Sequence, residues 1–219
     1  ENRLVDPGRV ALIRGSGVDT QRFVPGPEPD GIPVVILPAR LLWDKGVSEF
    51  VEAARCLQAD GLRARFVLVG DSDPENPAAV PVAQIREWEK KGVIEWWGWQ
   101  ENMDEIYAQA HIVCLPSYRE GLPKTLIEAA ACGRPIVASD VPGCREIVRT
   151  GENGLLVPAH DVSALVASLK LLIQDSELRR RMGLCGRKIA IKEFSMDLVI
   201  PQTLKVYHST IRVDGETKP

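Results

Sequence analysis

The sequence lacks three features that would each have pointed to a function class. It contains no uninterrupted apolar run near the ~18 residues of a membrane-spanning helix, which argues against an integral membrane protein. It has no basic excess, since 27 Lys and Arg stand against 30 Asp and Glu, and a net charge of −3 argues against a general nucleic-acid binder. Its five cysteines form no C-x-x-C pair and its three histidines form no H-x-x-x-H pair. We therefore expect no bound metal, no nucleic-acid partner and free thiols in a reducing compartment.

The length of 219 residues is large for one domain and small for two. The chain starts at Glu1, without a Met or an apolar leader, so we expect it to be cut from a longer protein. Short apolar runs alternate with helical patterns, which predicts an α/β fold with an open, mostly parallel, doubly wound sheet. The expected strands are 34–37, 66–69, 93–97, 112–115, 136–138 and 155–157, and the expected helices are 46–59, 81–91, 103–110, 123–132, 143–149 and 161–174, with helical segments continuing to about residue 211.

Residues 117–128, SYREGLPKTLIE, follow a predicted strand and open a predicted helix. Ligands of such sheets bind beyond the carboxyl ends of the strands, so chemistry is expected here. Glu120 and Glu128 lie eight residues apart, with the helix N-terminus between them, and its free N–H groups and dipole suit an anion. Carboxylates accept hydrogen bonds from hydroxyls. The pattern predicts a ligand with a central phosphate and polyhydroxylated groups at both ends, such as a nucleotide sugar; the alternative is two solvated carboxylates.

Residues 38–46, PARLLWDKG, also follow a strand and open a helix. They place two cations, Arg40 and Lys45, at the edge of the sheet that carries the two glutamates. An arginine grips phosphate with two hydrogen bonds, and a lysine acts as a point charge. The two segments support each other as parts of one phosphate site, whereas either cation alone is equally compatible with a solvated surface position.

With these motifs the chain resembles the C-terminal, donor-binding domain of family 4 glycosyltransferases of the GT-B type, the retaining group that uses nucleotide sugars. The resemblance covers about residues 10–210 and is most specific at residues 120–138 and at residues 151–157, GENGLLV. Residues 140–146, DVPGCRE, are similar to those of bacterial enzymes that build lipopolysaccharide, capsule or lipid-linked oligosaccharides. The resemblance implies a Rossmann-like doubly wound parallel sheet, one half of a GT-B fold, with a C-terminal helical tail.

The resemblance also implies residue roles. Arg40 and Lys45 would bind the donor diphosphate and stabilise the leaving group, Glu120 would contact the donor sugar, and Glu128 would hold the ribose hydroxyls. Backbone groups at the donor site would come from Gly121, Leu122, Lys124, Thr125 and Gly70, with the base against the backbone from Ile94 to Gly98. Tryptophans replace the usual residues in that last strand, and we expect Trp96 in the core and Trp97 or Trp99 exposed.

The resemblance implies transfer of a hexosyl group from a nucleotide diphosphate sugar, with a UDP-sugar as the expected donor, no cofactor and no metal. Retention would follow from front-face attack, with the leaving phosphate taking the proton of the acceptor and no protein nucleophile. The predicted division is residues 1–30 as a hinge segment, 31–193 as the donor domain, and 194–219 as a tail whose helix returns to a missing N-terminal acceptor domain.

That division has consequences for the isolated chain. We expect it to bind a donor without completing a transfer, because a saccharide or lipid-linked acceptor would bind the missing domain. The expected location is the cytoplasm, with contact to the inner face of the membrane through that domain. Of the last helices, Val199, Leu204, Val206 and Tyr207 are expected either to be exposed or to fold back on the core.

Other interpretations compete. Residues 71–73, DSD, spell the metal signature D-x-D of the GT-A glycosyltransferase fold, although a turn role is the simpler explanation. Residues 15–20, GSGVDT, imitate a dinucleotide fingerprint but lack its third glycine. A GT-B phosphorylase, a sugar epimerase and a non-catalytic nucleotide-sugar-binding module all share the expected fold.

Overall fold

A computed structural model of the protein describes residues 10–213, with side chains up to residue 209. The described residues contain one parallel sheet of six strands in the order β3-β2-β1-β4-β5-β6. This order confirms the predicted doubly wound α/β fold, since it grows outward from β1 in both directions. The strands are β1 Val34–Pro38, β2 Arg65–Val69, β3 Glu95–Gly98, β4 Ile112–Leu115, β5 Ile136–Ser139 and β6 Gly154–Val157.

The helices follow the predicted segments closely, with ends that differ by a few residues. One short 3-10 turn, Trp43–Lys45, was not predicted; it ends at Gly46, whose φ of 72° is left-handed. The helices are α1 Val47–Ala59, α2 Val82–Lys90, α3 Met103–Ala108, α4 Lys124–Ala131, α5 Pro142–Arg145, α6 Val162–Gln174, α7 Ser176–Phe194 and α8 Met196–Val213.

The core lies on both faces of the sheet, which explains why the central strands are apolar throughout. In β1, Val34 and Ile36 face one cluster, which includes residues of α3, α4, α5 and α7. Val35 and Leu37 face the other cluster, which includes residues of α1, α2 and α6. A strand with helices on both faces has no solvent-facing side, so its sequence reads as an unbroken apolar run.

The strand order reverses between β1 and β4, which are hydrogen-bonded neighbours in the middle of the sheet. The connections that leave the carboxyl ends of these two strands diverge to opposite sides, and a crevice opens between them. The loop after β1 carries Arg40 and Lys45, and the loop after β4 carries Glu120. The fold therefore brings the two predicted motifs to one edge.

The segment before β1 packs against the domain from Val18 onward. Val18 is fully buried, and its backbone N–H donates to the Phe194 carbonyl at 2.8 Å, while the Met196 N–H donates to the Val18 carbonyl at 3.0 Å. This bridge joins the incoming segment to the point where α7 gives way to α8. The predicted domain boundaries remain predictions, and residues 1–9 of the hinge segment and 214–219 of the tail lie outside the described residues.

Four residues of the last helix were expected either to be exposed or to fold back on the core, and the structure shows both outcomes. Val199 is buried against the domain, whereas Leu204 and Tyr207 are exposed and Val206 is half-buried. Further exposed apolar side chains on the described part of α8 are those of Leu198 and Ile200. In the described residues, no helix combines the length and the apolar content needed to cross a bilayer.

Candidate active site

A cleft of about 260 Å³ lies at the carboxyl edge of the sheet. Its walls come from the ends of β1 and β2, from the start of α3 and from the first turns of α4. The lining residues include Arg40, Gly70, Asp71, Tyr107, Thr125 and Glu128. Four of these, Arg40, Gly70, Thr125 and Glu128, are among the predicted site residues, so each motif contributes to the cavity wall. Lys45 and Glu120 are not among the residues that line it.

A larger cavity of about 720 Å³ lies at the opposite, amino-terminal edge of the sheet, where Val34 begins β1. Its most polar buried group is His111, whose Nδ1 accepts the Val34 N–H at 3.0 Å and whose Nε2 lies 2.9 Å from the Pro29 carbonyl. Both ring nitrogens are therefore occupied in holding the chain. Size alone does not mark a site, and the smaller cleft carries the convergent charged groups.

An ion pair joins the two motifs. The Lys45 Nζ donates to Glu120 Oε1 at 2.8 Å, and both side chains are mostly buried. Gly46 allows this approach, because a Cβ on it would overlap the Pro116 carbonyl oxygen at the start of the glutamate loop. An ammonium group has three donors, so Lys45 can hold Glu120 and still donate to a second acceptor. The pair thus links a carboxylate to a cation that remains available for an anion.

The N-terminus of α4 is open. Its N-cap is Pro123, which provides no side-chain cap, so the first N–H groups, those of Lys124 and Thr125, have no capping partner. The N–H of Leu126 already donates to the Pro123 carbonyl at 3.0 Å. An uncapped helix start presents backbone donors and the positive end of the dipole, which together favour an anionic group.

Glu128 lies one helical turn inside α4 and is almost fully buried, with 9% exposure. Its Oε2 accepts from the Tyr107 hydroxyl at 3.1 Å, and its Oε1 lies 3.5 Å from Lys124 Nζ. Burial raises the pKa of Glu128, against the opposing attraction of Lys124 and the Tyr107 hydrogen bond. The same burial raises the pKa of Tyr107, so the phenol stays a neutral donor. A buried carboxylate beside a cavity is placed to accept hydrogen bonds from ligand hydroxyls.

The remaining predicted residues are more dispersed. Leu122 is half-buried and lies against the backbone of Gly15, whose added Cβ would contact the Leu122 side chain. Gly121 has open space around its Cα, as suits a backbone that approaches a ligand. Ile94 is buried in the core on the α2 side and does not line the cleft, which is walled near β3 by Trp99, Gln100 and Met103. A role for the Ile94 backbone in base binding stays a prediction.

The predicted exposure of Trp97 or Trp99 is confirmed by Trp99, whereas the prediction that Trp96 lies in the core is wrong, because Trp96 only packs against the edge of the core. Trp96 is half-buried and donates from its indole N–H to the Gly70 carbonyl at 2.8 Å. Trp97 is half-buried too, whereas Trp99 is 65% exposed at the rim of the cleft. The Trp99 backbone N–H donates to Asp71 Oδ1 at 3.0 Å, so this first carboxylate of the D-x-D sequence holds a turn. In the described residues no group of three or more His, Cys, Asp or Glu side chains is placed to hold a metal ion.

Cys144 lies beside the glutamate loop and is fully buried. Burial raises the pKa of Cys144 to about 12. Its thiol therefore stays protonated at neutral pH and is a poor nucleophile. The chemistry of the cleft rests on carboxylates, cations and backbone N–H groups.

Comparison with known proteins decides the family. A family model described as "Glycosyl transferases group 1" matches residues 19–189, most of the chain. The chain belongs to this family. The predicted resemblance to the C-terminal domain of GT-B glycosyltransferases is thereby confirmed.

Three relatives of this group 1 glycosyltransferase illustrate the likeness. This chain is 30% identical over 217 residues to the N,N'-diacetylbacillosaminyl-diphospho-undecaprenol alpha-1,3-N-acetylgalactosaminyltransferase of Campylobacter jejuni. The match covers 93% of this chain and 55% of that protein. A sucrose-phosphate synthase from Thermosynechococcus elongatus is 26% identical with a TM-score of 0.81, over 91% of this chain and 52% of that one. The C-terminal domain of a group 1 family protein from Francisella tularensis is 26% identical with a TM-score of 0.70, over 82% of this chain and 99% of that one.

The chain spans about half the length of the curated relatives it matches. The sequence patterns assigned no role to Tyr107, which lines the cleft, or to Gly143, which packs on the loop that carries Glu120. Tyr107 lies in α3, and only the fold brings its hydroxyl to Glu128. Gly143, in α5, packs so closely on the glutamate loop that a Cβ would overlap the carbonyl oxygens of Glu120 and Gly121. The glycine inside the DVPGCRE motif was the one available signal.

Proposed function

We propose that this chain is the donor-binding half of a retaining glycosyltransferase that transfers a hexosyl group from a nucleotide diphosphate sugar. The observation that carries the proposal is the Lys45–Glu120 ion pair at the carboxyl edge, with Glu120 in the loop that leads into α4, the helix that holds Glu128. Between the two glutamates lies the uncapped N-terminus of α4. A ligand that fits has an anionic centre and hydroxyl-rich groups at both ends.

Each part of a nucleotide sugar has a matching group in this arrangement. The diphosphate would be held by Arg40, Lys45 and the α4 N–H groups, since a bidentate guanidinium, a point charge and a helix N-terminus all favour phosphate. Glu128 would accept hydrogen bonds from the ribose hydroxyls, and Glu120 would do the same for the donor sugar. The base would lie near the end of β3, where Trp99 is exposed at the rim.

The reaction follows from where charge develops. Cleavage of the bond between the anomeric carbon and phosphate oxygen builds positive character on the sugar and negative charge on the diphosphate. Arg40, Lys45 and the α4 N-terminus are aimed at the second charge and would stabilise the leaving group. We propose that the acceptor hydroxyl attacks from the same face and passes its proton to the leaving phosphate. Net retention then requires no nucleophile on the protein.

The relatives support a role in bacterial glycan assembly. The Campylobacter protein is named for a lipid-linked undecaprenol acceptor and an N-acetylgalactosaminyl group. We propose a UDP-sugar donor and a saccharide or lipid-linked acceptor in cell-surface polysaccharide biosynthesis. The acceptor would bind a further domain, which also makes any contact with the membrane. The five cysteines are all free thiols, which supports a cytoplasmic setting.

Binding and turnover test the proposal together. UDP-, GDP- and ADP-sugars and their diphosphates are titrated into the chain by calorimetry, and Lys45→Ala and Glu128→Ala each weaken binding by roughly tenfold or more. In the protein extended by its further domain, the same two variants abolish transfer, while Lys90→Ala on the outer surface of α2 does not. A kcat/KM near that of the wild type in both site variants would refute the assignment.

The other reaction types are distinguished in the same assay. Turnover of sugar phosphates rather than nucleotide sugars would indicate a phosphorylase. Conversion of the nucleotide sugar without an acceptor would indicate an epimerase. Binding without turnover in the extended protein would indicate a non-catalytic module, and loss of activity in EDTA would favour a metal-dependent reaction through residues 71–73.

A further inference from the structure

A second polar cluster lies behind the Lys45–Glu120 pair and joins three loops of the carboxyl edge. Its members are Glu49 in the first turn of α1, Tyr118 in the loop after β4, and His160 after β6. The Tyr118 hydroxyl donates to Glu49 Oε1 at 2.7 Å. His160 Nδ1 lies 3.5 Å from the same oxygen. The rings of Tyr118 and His160 are in a tilted contact, with centroids 3.7 Å apart and an interplanar angle of 37°.

Tyr118 is held from two sides. Besides its hydroxyl contact, its backbone N–H donates to the Asp44 carbonyl at 2.9 Å, next to Lys45. Glu49 is fixed in turn, because its Oε2 accepts from the Ser48 hydroxyl at 2.9 Å and its side chain is only 12% exposed. Tyr118 thus connects the turn that carries Lys45 to the loop that carries Glu120, two residues further along the chain.

His160 is held in a costly backbone conformation. Its φ of 65° makes it the one non-glycine residue with a left-handed backbone in the described part of the chain. Side chains other than Gly, Asn and Asp adopt this conformation at a cost of ~1 kcal/mol or more, and it persists where surrounding contacts over-determine it. The contact with the Tyr118 ring and the approach to Glu49 are such contacts. The cluster is therefore organised, not an accidental meeting of surface side chains.

We propose that Tyr118 is a positioning residue for the Lys45–Glu120 pair. Glu49 accepts the hydrogen bond of its hydroxyl, and His160 packs on its ring. The inference rests on the proposed function, in which Lys45 faces the diphosphate and Glu120 faces the donor sugar. Tyr118 fixes the position of the second group relative to the first. Without its hydrogen bond, the loop that carries Glu120 shifts, while the phosphate site keeps Arg40, Lys45 and the α4 N-terminus.

The measurable consequence concerns the difference in affinity between a nucleotide sugar and the corresponding nucleoside diphosphate. We expect this difference to shrink when the Tyr118 hydroxyl is removed. Binding of UDP and of UDP-sugars is compared by calorimetry, with GDP and ADP pairs as further probes. Tyr118→Phe keeps the ring over His160 and removes the hydroxyl. It lowers the affinity for the nucleotide sugar roughly tenfold, leaves the Kd of the diphosphate within about twofold, and keeps Tm within about 3 °C.

Two further variants sharpen the result. Glu49→Gln keeps an acceptor but removes the charge, so it produces the same selective loss at roughly threefold, since charge-assisted hydrogen bonds are about twice as strong. Tyr207→Phe makes the same chemical change on the exposed face of α8 and leaves both affinities unchanged. The positioning role is supported if the affinity for the nucleotide sugar falls most in Tyr118→Phe, less in Glu49→Gln and not at all in Tyr207→Phe, while the affinity for the diphosphate stays unchanged.

Each other outcome has a defined meaning. If the wild type binds the nucleotide sugar more tightly than the diphosphate and Tyr118→Phe behaves identically, the inference fails and the proposed function stands. If Tyr118→Phe and Glu49→Gln weaken both ligands equally, or both unfold, the cluster is merely structural and the inference fails. If the wild type binds none of the diphosphates, the proposed function fails and the inference fails with it.

Discussion

Glu128 shows how a buried carboxylate lowers the stability of the fold at the scale of a single side chain. Its carboxylate is nearly buried, and burial raises its pKa. A raised folded-state pKa means that the folded protein binds a proton more readily than the unfolded chain. Stability is then lost as pH rises from the ordinary glutamate value of about 4.3 through the raised value. The charged form of Glu128 at neutral pH therefore lowers the free energy of unfolding.

Glu128→Gln is therefore expected to be more thermally stable than the wild type at neutral pH. The amide oxygen still accepts from Tyr107, but the charge is gone. The advantage in Tm shrinks as the pH falls from neutral through the raised pKa of Glu128, because the wild-type carboxyl takes up its proton in that range. Thermal unfolding followed by circular dichroism across this range measures it. Nucleotide affinity falls roughly tenfold, and Glu152→Gln at an exposed position changes neither quantity. A destabilised Glu128→Gln at neutral pH would contradict the account.

Gly143→Ala is expected to disturb the site through one added methyl group. The new Cβ overlaps the carbonyl oxygens of Glu120 and Gly121, which are backbone atoms and cannot rotate away. The loop must shift, and the affinity for a nucleotide sugar falls by roughly tenfold or more. Gly186→Ala is the control, since its Cβ would meet Ala130 at an ordinary 3.4 Å inside α7. Equal affinities in the two variants, measured by calorimetry, would show that Gly143 does not set the loop.

The elements themselves could be predicted from the sequence because each is a local pattern. Residues 34–37 read as a buried strand, and a strand forms there with every residue buried. Residues 161–174 read as an amphipathic helix, and α6 begins at Val162 after Asp161, whose side chain accepts the Ala164 N–H. Apolar period and capping residues are properties of neighbouring residues, so they survive without knowledge of the fold.

The contacts between distant elements could not be predicted in this way. No sequence pattern assigned contacts to Arg134, Arg179 and Arg187. In the fold they bind residues 20–28, two of them from α7 and Arg134 from the turn before β5. Arg187 donates to the carbonyls of Thr20 and Phe23, Arg134 donates to that of Pro27, and Arg179 pairs with Glu28. Their partners lie more than a hundred residues away in sequence, and no periodicity reports such a pairing. The pairing of Tyr107 with Glu128 was missed for the same reason.

Arg187→Ala is expected to loosen the segment before β1. The guanidinium donates to the Phe23 carbonyl at 2.6 Å, the Thr20 carbonyl at 2.8 Å and the Ala131 carbonyl at 3.0 Å. Its removal leaves three carbonyls short of a donor and lowers the free energy of unfolding by about 2 to 3 kcal/mol. Urea unfolding measures the loss. Arg181→Ala, at an exposed position of the same helix, changes the stability by less than about 0.5 kcal/mol. Similar losses of stability in both variants would contradict the view that Arg187 holds the segment before β1 against the domain.

His111 contacts both the segment before β1, at the Pro29 carbonyl, and the first residue of β1, at the Val34 N–H. These contacts make the stability of the fold sensitive to acid. Burial lowers the pKa of His111, so the folded protein holds the neutral ring. As the pH falls below about 6.5, the unfolded chain takes up a proton that the folded state excludes, and stability decreases toward the lowered pKa. His111→Asn is expected to be less stable at neutral pH but to lose less between about pH 7 and pH 5 than the wild type. His208→Asn, exposed on α8, keeps the wild-type slope; equal slopes in all three proteins would contradict the assignment.

At the scale of the whole molecule, the described residues leave large apolar side chains exposed near residue 12 and along α8. Leu12 is 79% exposed, and Ile200, Leu204 and Tyr207 on α8 are at least 48% exposed. Both segments run from the Val18–Ser195 bridge, where the chain enters and α8 leaves the domain. Exposed apolar side chains of this size, on two segments that meet at one backbone bridge, are typical of an interface. They agree with a chain that spans about half of its relatives.

The expected division of labour is that this chain binds a donor but does not transfer its sugar. Arg40, Lys45, Glu120 and Glu128 belong to one sheet edge, so donor affinity needs no second domain. A transfer also requires an acceptor held against the anomeric carbon, and orientation of that kind supplies a large part of the rate. Calorimetry should show a nucleotide sugar binding to the chain, and mass spectrometry should show no glycosylated acceptor. Adding the further domain restores transfer, and Lys45→Ala in the restored protein removes it again. Transfer by the 219-residue chain alone, at a rate matching the extended protein, would overturn this division.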